Sequence, residues 1–577
     1  MAVVLAGAFT GVGDSLLTLA ASPDPGLLAY RLSYVFGPVL LALVWAGPTG
    51  AVAAEVARWR GGSVHTMAGT AAGTILAVWV ASLLVDGRHA GQALPSLAVL
   101  AFGLALAAVA LARLAVDVSS WFAARSARAR HLLAAAAGLV LFGGVLAGTP
   151  RGASSLRGGT GPCASSTPGA GVSGVVLVTV DALRADDART MRSYRRLAAV
   201  GREFRQHVTT SPWTLPSMAS LLTGRVPAEH GAGRSLSSRS LVQRTALRAD
   251  VETLAGTLGA HGWATHAVAT NPYLTARYGI DRGFCTFENV SMEGEALRAL
   301  GTTTQLRVAR ALAGTWLPSD RAPEVRARAE RWLDAHAGTP FFLWLHFLDP
   351  HAPYGDRAGS PTSLVLDLMA FQGRGATGVP FRGVALTRAG EYRPGPAERR
   401  RIRALYREDV ATTDHEITVF LDFLAARGLA ERTAVVLTAD HGEEFWDHGG
   451  LEHGRTLYEE VLRVPLVVAA PGHAPASVGE LTTVLDVAPT ILRLARVRST
   501  LPGRDLLAEA APPPAALPIG DTLFGEEWSG IRTADWKSMR SEHGEERLFD
   551  LRRDPDERRN LAALNLYSEE RPALAGR

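Results

Sequence analysis

The first 148 residues carry few charges and are dominated by Ala, Val, Leu and Gly, which restricts what this chain can fold into. Several apolar segments approach the ~20 residues that a helix needs to cross a bilayer. They occupy residues 3–21, 27–56, 67–85, 94–114 and 132–146. We predict a transmembrane domain of about five helices over residues 1–148. The alternatives are a signal peptide in place of the first segment and a buried helical core.

The arginines between these segments predict their orientation. Arg58 and Arg60 lie between the second and third segments, and three more arginines lie between the fourth and fifth. The positive-inside rule places both loops in the cytoplasm and the rest of the chain on the outer face of a bacterial-type cytoplasmic membrane. Residues 149–173 are rich in Gly, Ser, Thr and Pro, which is typical of a flexible linker.

The part of the chain after the linker alternates apolar runs with helical patterns. Four runs have the continuous apolar character of strands buried on both faces, and they begin at residues 175, 341, 433 and 464. Helical patterns cover residues 322–336 and 398–427. The alternation predicts an α/β domain with helices on both faces of a sheet.

Polar residues follow three of the predicted strands. Asp181 ends the first strand, Asp440 and His441 end the third, and His453 follows twelve residues after His441. In open parallel sheets, ligands bind beyond the carboxyl ends of the strands. Carboxylates and imidazoles at these ends favour a metal site, although a lone Asp at a strand end is more often a turn residue.

Thr214 lies in the segment "SPWTLPSMASLLTGRVPAEHG", just before a predicted helix. A threonine at this place is most often an N-cap, whose hydroxyl accepts a hydrogen bond from the helix backbone. A nucleophilic hydroxyl also gains from a helix N-terminus, because the helix dipole supports developing negative charge. The local sequence leaves both interpretations open.

Charge and cysteine content exclude some functions. The net charge is +4, and no basic run is interleaved with aromatic residues, so we expect no nucleic-acid partner. The two cysteines, Cys163 and Cys285, exclude a disulfide framework and a cysteine-rich metal site. We expect them to be unrelated thiols.

From about Val172 to Leu561 the chain resembles the sulfatase family of the alkaline phosphatase superfamily. Seven motifs in the family's order carry the resemblance: "VTVDALRADD", "TLPSMASLLTGRVP", "LDPHAPY", "LTADHGEEFWDHGGLEHGRTLYEEVLRVPLVV", "VLDVAPTIL", "GRDLL" and "WKSMRSEHGEERLFDLRRDPDERRNLA". The resemblance implies an alkaline-phosphatase/sulfatase-like α/β domain with a central, mostly parallel sheet over residues 174–500. It also implies a small C-terminal sulfatase subdomain over residues 501–577.

Position by position, the resemblance implies roles for seven residues, and two neighbouring polar residues are further candidates without a clear match. Asp181, Asp440 and His441 match metal ligands, and Thr214 matches the nucleophile, which also touches the metal. His351 and His453 match histidines that contact the transferred or leaving group. The substrate-binding candidates are Arg455, near a late lysine of the family, and the neighbouring polar residues Asn271 and His448. This set suits one divalent ion, with zinc or manganese favoured over calcium because an imidazole takes part.

The chain also departs from the sulfatase pattern. Threonine cannot be oxidised to the formylglycine of true sulfatases, and Met218, Thr270 and Pro272 replace sulfate-holding residues. In its threonine and in its predicted membrane spans, the chain resembles lipoteichoic acid synthases and phosphoethanolamine transferases, relatives that transfer phosphoryl groups through a plain threonine and have about five spans.

We therefore predict a membrane-anchored, metal-dependent enzyme that cleaves sulfate or phosphate esters of a glycan or lipid through Thr214, outside the cytoplasm and next to membrane lipids. The alternatives are a phosphotransferase that moves a phosphoryl-linked group from a lipid to an envelope glycan or lipid, and an inactive sulfatase-like binding protein.

Overall fold

The computed structural model describes residues 172–235, 243–290, 321–336, 338–352, 354, 394–498, 500–508 and 512–562. All of these residues belong to one compact unit. The five predicted membrane spans lie outside the described residues. Within the described ranges, no helix combines the length and the apolarity that crossing a membrane requires.

An eight-stranded sheet forms the centre of the domain. Its strands are β1 (Gly174–Val180), β2 (Arg202–Val208), β5 (Ala264–Ala269), β6 (Thr286–Asn289), β7 (Phe341–Phe347), β8 (Thr433–Ala439), β11 (Leu466–Ala469) and β12 (Ala476–Thr483). Two-stranded sheets pair β3 (Gly233–Ser235) with β4 (Gln243–Thr245) and β9 (Glu444–Phe445) with β10 (Leu451–Glu452). The strand order of the central sheet is β12-β2-β11-β8-β1-β7-β5-β6.

The central sheet is mixed but mostly parallel. Strand β1 runs parallel to both β7 and β8, and every residue of these three strands is buried. Strand β11 is antiparallel to its neighbours β2 and β8, while the remaining pairs are parallel. The predicted mostly parallel sheet is confirmed, and its central strands have the apolar sequences expected of a sheet covered on both faces.

The helices pack against the sheet in two groups. Their bounds are α1 (Ala185–Ala188), α2 (Arg192–Val200), α3 (Thr214–Thr223), α4 (Pro227–His230), α5 (Leu254–Ala260), α6 (Ala322–His336), α7 (Pro396–Ala426), α8 (Glu459–Leu462) and α9 (Val487–Leu494). Helices α2 and α6 contact α7, whereas α3, α5 and α9 contact one another. Short 3-10 turns cover Ala276–Tyr278, Ala430–Arg432 and Val484–Asp486.

A four-stranded antiparallel sheet lies within the segment predicted as the C-terminal subdomain. It consists of β13 (Leu517–Ile519), β14 (Trp528–Arg532), β15 (Trp536–Ser541) and β16 (Glu546–Asp550), paired in chain order. Its apolar side chains form one cluster with Val461 and Leu462 of α8. Helix α8 is therefore fixed from the side of the C-terminal sheet. The boundaries at residues 174 and 501 stay predictions.

The expectation of two unrelated thiols is wrong, because Cys285 is disulfide-bonded. The only other cysteine of the sequence, Cys163, lies outside the described residues. Sequence separation alone could not reveal this bond, since disulfide pairing depends on the distance between the two side chains in the folded chain.

Candidate active site

Asp181 and Asp440 lie close together because β1 and β8 are parallel and in register. Val180 pairs with Ala439, and the two aspartates are the next residues of each strand. Ala182 then takes a left-handed conformation, with φ of 56°, that non-glycine residues rarely adopt. Its amide donates to Asp440 Oδ1 at 3.3 Å, and its carbonyl accepts from the Tyr406 hydroxyl at 2.9 Å. These bonds hold the strained turn after Asp181.

His441 presents one ring nitrogen to both aspartates. Its Nδ1 contacts the Gly442 carbonyl at 2.9 Å. Its Nε2 lies 3.3 Å from Asp440 Oδ2 and 3.5 Å from Asp181 Oδ1. The Gly442 contact favours the tautomer with hydrogen on Nδ1, which leaves the Nε2 lone pair facing the carboxylates.

Thr214 is the first residue of α3, and Trp213 before it is the N-cap residue. The interpretation of Thr214 as a helix cap is therefore wrong. Its hydroxyl points instead at the aspartates: Oγ1 lies 3.4 Å from Asp181 Oδ2 and 3.3 Å from His441 Nε2. Asn271 Nδ2 donates to Asp181 Oδ2 at 2.7 Å and to Thr214 Oγ1 at 3.2 Å. The structure thus gathers five of the predicted site residues in one buried cluster.

Two buried carboxylate oxygens of this cluster have no hydrogen-bond partner in the described part of the chain, namely Asp181 Oδ1 and Asp440 Oδ2. Burial and the neighbouring Asp181 charge raise the pKa of Asp440 to about 7. Burial opposes ionisation of Asp181 too, but the charges of nearby histidines outweigh it and hold that pKa well below its usual range. Without a cation, Asp440 is therefore the carboxyl group of the pair that more readily holds a proton. Buried oxygens left without donors are what a divalent cation would satisfy, so the residues fit the metal that the resemblance implies.

His346 completes a group with potential to hold a metal, and the sequence analysis missed it. Ligand atoms of Asp181, His346 and Asp440 all lie within 4.8 Å of one another. His346 Nε2 is 3.3 Å from Asp181 Oδ2, and its Nδ1 is 2.8 Å from the Thr179 hydroxyl. A single histidine inside the apolar strand "FFLWLHF" looks like a core residue. The feature that could have revealed its role is its position on β7, because β7 lies directly beside β1.

The two predicted histidines that flank the cluster differ in how they are held. The His453 ring lies 4.0 Å from the His441 ring and 4.8 Å from the His351 ring, centre to centre. His453 Nδ1 contacts Glu443 Oε1 at 2.9 Å, whereas His351 Nδ1 contacts the Ala352 carbonyl at 2.7 Å. The other Glu443 oxygen accepts from the Tyr354 hydroxyl at 2.8 Å. Glu443 was also missed, although it directly follows the Asp-His-Gly motif.

The last two candidates are Arg455 and His448. Arg455 is near Glu444, and its burial lowers the pKa of the guanidinium. His448 stacks on Tyr458 with ring centres 3.6 Å apart, and its Nδ1 contacts Glu460 Oε1 at 2.7 Å. His448 Nε2 faces the carbonyls of Asp556 and Glu557. His448 thus joins the central domain to the C-terminal segment, and this geometry gives no support to its predicted role in substrate binding.

Comparisons with known proteins agree with this arrangement. The sulfatase family model matches residues 173–497, which is more than half of the chain. Arylsulfatase K of Bos taurus is 30% identical over 185 residues, covering 29% of this chain and 34% of the relative. The chain spans only a third to a half of the length of curated relatives such as these, with 34%, 51% and 52% covered in three cases.

Two solved structures share the fold. One was solved in complex with its substrate D-glucosamine-2-N,6-O-disulfate; it is 18% identical, with a TM-score of 0.53 over 71% of this chain and 96% of that one. The phosphonate monoester hydrolase of Agrobacterium radiobacter is 20% identical, with a TM-score of 0.50 over 69% of this chain and 92% of that one. At these identities the likeness concerns the fold alone. With the family match and the strand-end cluster together, the chain belongs to the sulfatase family.

Proposed function

We propose that this protein is a membrane-anchored, metal-dependent hydrolase that cleaves sulfate or phosphate esters through Thr214, on the outer side of the cytoplasmic membrane. The observation that carries the proposal is the direction of the Thr214 hydroxyl. It leaves the helix backbone and lies within 3.4 Å of Asp181, His441 and Asn271. The stability of the fold does not require a threonine hydroxyl to face two buried carboxylates, so this direction favours a role in function.

Thr214 has the surroundings of an activated nucleophile. The positive end of the α3 dipole favours negative charge on its oxygen, and Asn271 fixes the oxygen through the 3.2 Å hydrogen bond. The residues that would hold the metal are Asp181, Asp440, His441 and Thr214, with His346 beside them. A divalent ion bound there would lower the pKa of the hydroxyl and neutralise charge on the ester oxygens.

His453 is the better placed of the two flanking histidines to act as general acid. A carboxylate on Nδ1, supplied by Glu443, orients the ring and stabilises its protonated form. Thr214 would react as its alkoxide, after its hydroxyl proton has passed to solvent. As the bond from Thr214 Oγ1 to sulfur or phosphorus forms and the ester bond breaks, His453 gives its proton to the leaving oxygen. Water then resolves the covalent Thr214 intermediate in a hydrolase.

Three departures from the sulfatase pattern favour phosphate esters as the substrates. Thr214 keeps a plain hydroxyl, and the position of the signature arginine is taken by Met218, which is completely buried in the core. Thr270, at the position of a sulfate-holding lysine, donates its hydroxyl to the His346 carbonyl at 2.7 Å. The same preference for phosphate is compatible with the second candidate function, a phosphotransferase in which an acceptor hydroxyl replaces water.

The disulfide at Cys285 supports the proposed location, because such bonds persist in oxidising compartments outside the cytoplasm. Imidazoles at the cluster favour zinc or manganese over calcium. A sulfated or phosphorylated glycan or lipid at the membrane surface would then be the substrate.

The test uses the full-length protein loaded separately with zinc, manganese and calcium. We would measure turnover of an aryl sulfate, an aryl phosphate monoester and an aryl phosphodiester by wild type, Thr214→Ala and Thr214→Ser. Thr223→Ala is the matched control, since Thr223 lies at the other end of α3 and its hydroxyl bonds the Ala219 carbonyl. We expect phosphate-ester turnover that Thr214→Ala abolishes and Thr223→Ala retains.

Mass spectrometry of acid-quenched protein would locate the covalent group on the Thr214 peptide. Sulfate-ester turnover alone would assign a sulfatase that works without formylglycine. Bound metal without turnover of any ester would point to the inactive binding protein, and turnover that survives Thr214→Ala would overturn the proposal.

A further inference from the structure

A groove rich in arginine runs along the first turns of α7. It encloses about 720 Å³. The residues that line it include five arginines and one aromatic residue: Arg184, Arg399, Arg400, Arg403, Arg407 and Phe445. Nothing in the chemistry proposed for Thr214 uses these side chains.

Only part of this positive charge is neutralised. Arg403 and Arg407 share the Asp187 carboxylate, at 2.6 Å and 3.1 Å. Arg184 bonds Asp186 and Asp447 at 3.0 Å and 2.9 Å. Arg184 uses all five of its N–H donors, on these two carboxylates and on the Glu443 carbonyl. Arg403 and Arg407 share one carboxylate, which leaves some of their donors for another anion.

Three arginines of α7 keep donors for a ligand. Arg399 donates its Nε to the Pro394 carbonyl at 3.0 Å and stacks over Trp446, with no carboxylate partner in the described ranges. Arg400 is exposed and forms no ion pair with the residues that the structure describes. Arg403 Nη1 is buried and has no hydrogen-bond acceptor among them.

The spacing of these charges is unfavourable in an empty groove. Arg399, Arg403 and Arg407 follow one another at intervals of four along α7, and like charges at this interval repel. Arg399 and Arg400 also lie near the helix N-terminus, where the dipole disfavours cations. A sulfate, phosphate or carboxylate group would relieve both effects, and guanidinium forks match the geometry of such anions.

The groove borders the catalytic cluster. Arg184 follows Asp181 by three residues, a distance of at most about 10 Å along an extended chain. Arg184 Nη1 donates to the Glu443 carbonyl at 2.8 Å, and the Glu443 side chain holds His453. One molecule of moderate size can therefore reach both places.

We propose that this groove is a subsite for a second anionic group of the same ester molecule whose transferred group lies at Thr214. The substrate would then carry at least two sulfate, phosphate or carboxylate groups. The link to Thr214 rests on the proposed function, whereas the anion site itself does not.

Sucrose octasulfate is a suitable probe because it presents many sulfates on a small scaffold. Its binding to the full-length protein is measured by isothermal titration calorimetry, for wild type and for the double variant Arg399→Gln/Arg400→Gln. Arg540→Gln is the matched control, since Arg540 is an exposed arginine on β15 that lies 3.9 Å from Glu546. We expect the double variant to raise Kd roughly tenfold or more, because two charge-assisted contacts are lost, while Arg540→Gln leaves Kd unchanged.

Equal binding by wild type and double variant, or equal weakening in Arg540→Gln, would overturn the subsite. Competitive inhibition of 4-nitrophenyl ester turnover, weaker in the double variant, would support the link to Thr214, and binding without inhibition would refute that link. If no ester is turned over but the double variant loses binding, the proposed function fails and the anion site stands.

Discussion

Gly442 is the position at which one added methyl group tests the geometry of the cluster. A Cβ on this residue would lie 2.1 Å from the carbonyl oxygen of Glu460 and 3.2 Å from Val461 Cα. Such atoms essentially never approach closer than 3.0 Å, so Gly442→Ala must separate the two segments by about 1 Å. Two backbone hydrogen bonds join them, from Gly442 N to Val461 O and from Glu443 N to Glu460 O.

The segment that moves should be the one that carries the site. Val461 is fully buried in the cluster that includes the C-terminal sheet, so α8 resists displacement. The loop from Asp440 to Glu443 would shift instead, and with it the His441 ring. Overpacking of this kind costs about 1–3 kcal/mol of stability, and a misplacement of about 1 Å at a catalytic site costs on the order of 100-fold in rate.

The assay compares wild type, Gly442→Ala and Gly338→Ala. A Cβ at Gly338 meets nothing within 4 Å, so that variant controls for the added methyl group. We expect kcat/KM for the aryl ester to fall about 100-fold in Gly442→Ala only, together with a smaller rise in Tm on adding zinc. Activity and zinc response equal to those of Gly338→Ala would refute the argument that this contact positions Asp440 and His441.

Three further outcomes are expected. Lys537 is fully buried with Nζ 2.6 Å from Glu557 Oε1, so Lys537→Met should destabilise the protein by about 3–5 kcal/mol in thermal unfolding, while Arg540→Met changes little. Burial lowers the pKa of His230 to about 4. Its stabilising contribution is present above the unfolded pKa near 6.5 and is lost as the pH falls toward 4. Between pH 7 and pH 5, wild type should therefore lose about 2 kcal/mol of unfolding free energy relative to His230→Gln, and parallel pH curves would contradict this. His346→Gln should weaken zinc binding about 10- to 100-fold in a chelator competition, and unchanged affinity would exclude His346 from the metal site.

The sheet and the strand-end cluster could be predicted because both follow from periodic patterns. Continuous apolar runs mark buried parallel strands, and parallel strands bring their carboxyl ends to one edge. That reasoning placed Asp181, Asp440 and His441 together. It could not decide whether Thr214 is a helix cap or a nucleophile, because the direction of its hydroxyl depends on which residue begins the helix.

The residues that were missed have roles set by neighbours distant in sequence. His346 reads as a core residue until β7 is paired with β1, and Glu443 gains its role only when His453 folds back onto it. His448 lies in the sequence between His441 and His453, yet stacking on Tyr458 directs it to the C-terminal segment. Sequence spacing contains no information on these contacts.

One loop of the C-terminal segment bonds to the chain on both sides of the candidate site. The carbonyl of Asp521 accepts hydrogen bonds from Trp213 Nε1 at 2.7 Å and from Ser211 Oγ at 3.1 Å, just before Thr214. Two residues further on, the amides of Leu523 and Phe524 donate to the carbonyl of Gly454, directly after His453. Asp521 itself adopts φ of 61°, a conformation that persists only where surrounding contacts enforce it. Thr214, the proposed nucleophile, and His453, the proposed general acid, come from separate parts of the chain, and the loop around Asp521 bonds to the segments next to both.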